Sequence, residues 1–113
     1  MNYKNNKITN LGLQLRCNKA GGFHTFSVLA VVLDLVDTAL DPATTHVEVI
    51  CGNASDEGIF YRSDDVDPTS AFTGAMLLPA NTRVIWSREY YLGTRVIRQG
   101  AGTVFLSMQE LMI

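Results

Sequence analysis

Thr45-His-Val-Glu-Val-Ile-Cys51 alternates apolar and polar residues, and five further short segments follow it: Gly58-Ile-Phe-Tyr-Arg62, Ala75-Met-Leu-Leu78, Arg83-Val-Ile-Trp86, Arg95-Val-Ile-Arg98 and Thr103-Val-Phe-Leu-Ser-Met108. Each is four to seven residues long, and turn-forming residues separate one from the next. Repeated short strands with turn chemistry between them predict an all-β fold, an antiparallel sandwich or barrel, with a small β-sandwich or jelly-roll-like domain as the favoured form. Within the first segment Val47, Val49 and Cys51 oppose His46, Glu48 and Ile50, so one face is apolar and the other mixed. Gly52-Asn-Ala-Ser-Asp-Glu-Gly58 is expected to fold the next strand back as a hairpin, and Gly100-Ala-Gly102 to do the same before the last strand.

Working outward, the segment Phe23 to Leu40 is ambiguous. Ser27-Val-Leu-Ala-Val-Val-Leu33 is apolar without interruption, and Asp34, Asp37 and Asp41 recur at helical spacing. The β-branched residues Thr25, Val28, Val31, Val32, Val36 and Thr38, with no evident helix cap, favour strand. Asp41-Pro42 enforces a turn. Ahead of this lies Leu11-Gly-Leu-Gln-Leu15, a period-two run, and then Cys17-Asn-Lys-Ala-Gly-Gly22, whose paired glycines mark a flexible turn. Residues 1–22 are therefore expected to be an N-terminal arm or edge strand with a glycine hinge, and residues 23–113 a single sandwich domain. The tail Leu111-Met-Ile113 is apolar and should be docked on the domain or on a neighbour.

A chain of 113 residues buries about two-thirds of its unfolded surface, so one core suffices without metal or disulfide staples. Charged residues are 18% of the chain and the formal net charge is −2, which excludes a strong nucleic-acid footprint at the level of the whole chain. So little charge is what a surface covered by a partner would show. No apolar stretch is long enough for a membrane span, and Met1-Asn-Tyr-Lys-Asn-Asn-Lys7 lacks a signal core, which leads us to expect a cytoplasmic origin and reduced thiols. Cys17 and Cys51 have no zinc spacing; a disulfide requires the first strand to lie beside the Val47 strand.

No motif announces a reaction. His24 and His46 lie in no recognisable nucleophilic signature, and the glycine pairs fit no phosphate-binding loop. The acidic loops around Asp56 and Glu57 and around Asp64, Asp65 and Asp67 read as a solvated rim ahead of a calcium site. Trp86, Tyr90 and Tyr91 with Arg83, Arg88 and Arg95 could stack a carbohydrate or nucleotide; the favoured reading makes Trp86 core and the tyrosines a contact surface. No cofactor is expected.

Val49-Ile-Cys-Gly-Asn-Ala-Ser-Asp-Glu-Gly-Ile-Phe-Tyr-Arg62, Leu78-Pro-Ala-Asn-Thr-Arg-Val-Ile-Trp86 and Thr94-Arg-Val-Ile-Arg-Gln-Gly-Ala-Gly-Thr-Val-Phe-Leu106 together resemble the strand-and-turn pattern of small virion proteins of tailed bacteriophages. The resemblance covers residues 47–106 and departs from the pattern in the first 40. It implies a non-enzymatic capsid decoration or cement protein on the virion surface, a homo-oligomer (trimer ahead of dimer) that bridges capsomers of the major capsid protein without touching nucleic acid or membrane. In that role Tyr3, Ile8, Leu11, Leu13, Leu15, Trp86, Tyr90, Tyr91, Leu111, Met112 and Ile113 are the expected partner interface. A head-to-tail or fibre connector and a lectin-like binding module are the alternatives.

Overall fold

The computed structural model describes residues 14–53, 57–69 and 74–113, and it is an antiparallel β-sandwich. Among the described residues its strands are β1 (Arg16–Cys17), β2 (Phe23–Val28), β3 (Leu33–Asp34), β4 (His46–Asn53), β5 (Ile59–Arg62), β6 (Met76–Leu78), β7 (Thr82–Ser87), β8 (Arg95–Arg98) and β9 (Val104–Met112), with the α-helix α1 (Arg88–Leu92) between β7 and β8. One sheet runs β9-β4-β7, with β1 and β2 both on the outer edge of β9; the other runs β3-β8-β5-β6. Across the ladders β2 pairs with β9, β3 with β8, β4 with β7 and β5 with β6. The chain is thus a long two-stranded ribbon, rolled so that β9 also meets β4 and β8 also meets β5.

Rolling corrects two sequence expectations. β4 and β5 are not a hairpin, nor are β8 and β9: in each case the glycine-containing turn carries the chain from one sheet to the other. Turn residues specify that the backbone reverses, and only the burial of both sheet faces decides which strand it reverses onto. The apolar run from Ser27 is also not one buried strand. It leaves the sheet after Val28, and Leu29 and Val31 are 55% and 74% exposed before β3 begins. Asp34 then supplies the cap that the sequence reading did not find, accepting the Val36 N–H at the start of a 3-10 turn, Leu35–Asp37. Residues 88–92, where no helix was expected, form α1 because the Ser87 hydroxyl accepts the Tyr90 N–H as an N-cap.

The core lies between the sheets. Val47, Val49 and Cys51 of β4 and Val104, Leu106 and Met108 of β9 face Ile59, Tyr61, Leu78 and Val96, and Leu35, Trp86 and Tyr91 close one side. The alternation expected for β4 holds, and burial pushes the Cys51 thiol up to about 11, which leaves it an inert core residue. Cys17, on β1, is exposed and free, and β9 separates it from β4, so the arrangement a disulfide would need is not made. Leu106 has no exposed surface and lies on the central strand of its sheet. Leu106→Ala should lower unfolding stability by about 2–5 kcal/mol, read as a shift in the urea midpoint with little change in slope.

Candidate functional site

Period-two alternation along β9 does not stop at Met108. It carries Glu110 to the inner face as well, and that carboxylate has no exposed surface. A buried carboxylate is costly unless hydrogen bonds replace its water. Three donors do so here. Thr44 Oγ1 donates to Oε1 at 2.5 Å, the Asp41 backbone N–H to the same oxygen at 2.8 Å, and His24 Nε2 lies 2.6 Å from Oε2. Burial alone would raise the Glu110 pKa; His24, Thr44 and the Asp41 N–H outweigh it and hold the group below the usual carboxylate range.

Two further side chains complete the cluster. The Asn18 carboxamide, itself buried, donates from Nδ2 to Thr44 Oγ1 at 2.9 Å and to Asp41 Oδ2 at 3.0 Å. Its backbone N–H donates to the Glu110 carbonyl at 2.8 Å. Arg88, from α1, donates to the carbonyls of Asp41 and Thr44 and so fixes the loop that presents them. The paired glycines read as a hinge have specific tasks at this point. A Cβ at Gly21 would overlap the Glu110 carboxylate, and Gly22 has φ +79°, which side chains rarely adopt. Residues 16–22 are therefore stitched into the sheet, with Arg16 and Cys17 in register against Met112 and Leu111.

The expected interface residues scatter. Tyr3, Ile8, Leu11 and Leu13 lie outside the described residues. Leu15 and Met112 are half-buried and Ile113 is 59% exposed. Trp86, Tyr91 and Leu111 are not available to a partner, because the domain's own packing covers them: Tyr91 is wholly enclosed, with its hydroxyl 2.8 Å from Thr38 Oγ1, and burial pushes its pKa up to about 12. Tyr90 stays at the surface, its ring tilted 49° against Trp86 (5.3 Å between centroids), which is tilted 45° against Tyr61 (5.2 Å). Beside Tyr61 is an open cleft of about 530 Å³ bounded also by Arg62, Asp64 and Met76. The acidic residues of this region are engaged by arginine, Asp64 with Arg62 and both Asp67 and Asp34 with Arg95. Among the described residues no three His, Cys, Asp or Glu side chains are grouped to hold a metal ion.

The Glu110 cluster escaped sequence reading because its members are up to 92 positions apart, from Asn18 to Glu110. The one available signal was the continuing alternation of β9. Because the folded pKa of Glu110 lies below its unfolded value, its contribution to stability is full above that unfolded value, about 4.3, and is lost as pH falls through the folded one. Urea midpoints measured from pH 7 down to pH 3 should therefore decline more steeply for the native chain than for Glu110→Gln, whose amide cannot titrate.

No protein-family model, no curated protein and no solved structure matches this chain.

Proposed function

We propose that this chain is a structural virion protein of a tailed bacteriophage, a capsid decoration subunit that acts as a homo-oligomer and stabilises the shell by bridging capsomers. The observation that carries the reading is the rolled ribbon, with β2 on β9, β3 on β8, β4 on β7 and β5 on β6. This pairing supports reading the sandwich as a jelly roll, an architecture used by viral capsid domains and lectins. Sparse charge and exposed apolar side chains such as Phe23, Ile85 and Phe105 on the outer face of the larger sheet suit a surface that is covered in an assembly. A decoration subunit needs a chain segment that reaches a neighbour and an anchorage that does not peel away. Here residues 1–13 precede a segment fastened to β9 by the Glu110 cluster. The stability of a shell then comes from a modest contact repeated over many copies.

The open cleft bounded by Tyr61, Arg62 and Asp64, with Tyr90 the exposed member of the aromatic group, favours one second reading, a lectin-like module that binds sugar. Two experiments separate the readings. Mixed with undecorated shells, the full chain should co-sediment in many copies per particle, and a chain lacking residues 1–13 should fold but fail to attach. Attachment of the truncated chain at undiminished affinity would remove the arm from the account. Selective retention on a glycan array, without binding to shells, would replace decoration by sugar recognition.

A further inference from the structure

Thr44, Glu110 and His24 stand in the relation of a nucleophile, its base and the group that orients the base, and an amide lies against the nucleophile. The Thr44 hydroxyl donates to Glu110 Oε1 at 2.5 Å, and His24 Nε2 holds the other carboxylate oxygen at 2.6 Å. Asn18 Nδ2 is 2.9 Å from Thr44 Oγ1, one bond from the amide carbon. The Asn18 Oδ1 accepts the Ala20 N–H at 3.2 Å, which helps hold the amide beside Thr44. All three reacting groups are enclosed: Asn18 is 3% exposed, Thr44 2% and Glu110 not at all. Water is thereby kept from the bond that would form.

We propose that Thr44 and Asn18 become joined by an intramolecular ester, made by the folded chain itself with release of ammonia. Rotation about the Asn18 Cβ–Cγ bond leaves the carbonyl carbon in place and turns the face of the amide plane toward Thr44 Oγ1, from which the hydroxyl oxygen closes on that carbon. As Oγ1 bonds to that carbon its proton passes to Glu110 Oε1, to which the hydroxyl already donates at 2.5 Å. Glu110 then gives the proton to the Asn18 nitrogen while the carbon–nitrogen bond breaks, and NH3 departs. One carbon–oxygen bond replaces one carbon–nitrogen bond, no electrons are exchanged, and the carboxylate is regenerated. An amide is a weak electrophile toward a hydroxyl, but fixing both in contact contributes an effective concentration on the order of 10⁵ M or more.

The cross-link would tie the turn ahead of β2 to the loop ahead of β4. β1 holds its place with two paired positions, Arg16 to Met112 and Cys17 to Leu111, so a covalent tie at Asn18 reinforces the shortest strand of the sheet. The inference is independent of the virion reading, since it concerns bonds inside one chain.

Mass spectrometry of the intact, denatured chain tests it. The expected mass is that of the sequence less one ammonia, and a tryptic digest should join the peptide Cys17–Lys19 to the peptide that carries Thr44. Thr44→Val should restore the full mass, Thr44→Ser should keep the link, and Glu110→Gln should prevent it. His24 is a positioning residue here, and His24→Ala should alter the pH profile of link formation in freshly refolded chain. A full sequence mass in the folded native chain overturns the proposal. So does an ammonia loss that persists in Thr44→Val, because that would mark cyclisation at Asn18 alone.

Discussion

A carboxylate with no exposed surface has to be solvated by the protein, and at Glu110 that requirement recruits three stretches of chain that are otherwise far apart. His24 comes from β2, Asp41 and Thr44 from the loop before β4, and Asn18 from the turn before β2, each with a defined place around one functional group. An apolar residue at position 110 would fill the same space without specifying any of these positions. The carboxylate therefore restricts geometry as well as adding hydrogen bonds, each worth about 1.5–3 kcal/mol when one partner is charged. Glycine at position 21 follows from the same requirement, since only a residue without Cβ lets the backbone pass so close.

The rolled ribbon explains why the cluster can exist at all. β9 is the last strand, yet it sits inside its sheet between β2 and β4, so the larger sheet is incomplete until the C-terminal residues are in place. Pairings between strands so distant in sequence carry a large loop-closure cost before they are rewarded, which makes such folds slow to form. What secures the last strand once it arrives is of two kinds. Val104, Leu106 and Met108 bury apolar surface, and Glu110 two residues further on locks the end. Arg88 extends the lock to α1 through the carbonyls of Asp41 and Thr44, and the Arg88 N–H itself is bonded to the Thr45 carbonyl.

Much of the fold was legible in local pattern. The alternation of Val47, Val49 and Cys51, the burial of Trp86 and the all-β class follow from period-two spacing alone. Strand partners were not legible, because a glycine turn such as residues 100–102 is equally compatible with a hairpin and with a crossing to the opposite sheet. The exposed Leu29 and Val31 show the opposite limit: an unbroken apolar run looks buried in sequence whether or not the sheet continues through it. The aromatic group was legible as a group but not in its orientation. Tyr90 and Tyr91 are neighbours on one turn of α1, and consecutive helical positions point in different directions, so one reaches the surface and the other the core. The polar cluster was illegible in principle, since spacing along a strand carries no information about which distant side chains will meet it.

The sandwich is consequently unequal at its two ends. At one end β1 and the C-terminal part of β9 pair in the same sheet, Arg16 opposite Met112, and the polar cluster adjoins them. At the other the loop at Leu29 and Val31 approaches the turn after β8, where the Leu29 carbonyl accepts the Arg98 N–H, and the exposed surface is apolar. A pull directed along β1 would shear its ladder and then load the bonds of Asn18 before it reaches β2. Shear loads several hydrogen bonds together, and here the bonds next in line are those that also satisfy a buried charge. Detaching the segment would expose or strand the Glu110 carboxylate, which couples the grip on the N-terminal segment to the most expensive desolvation in the core.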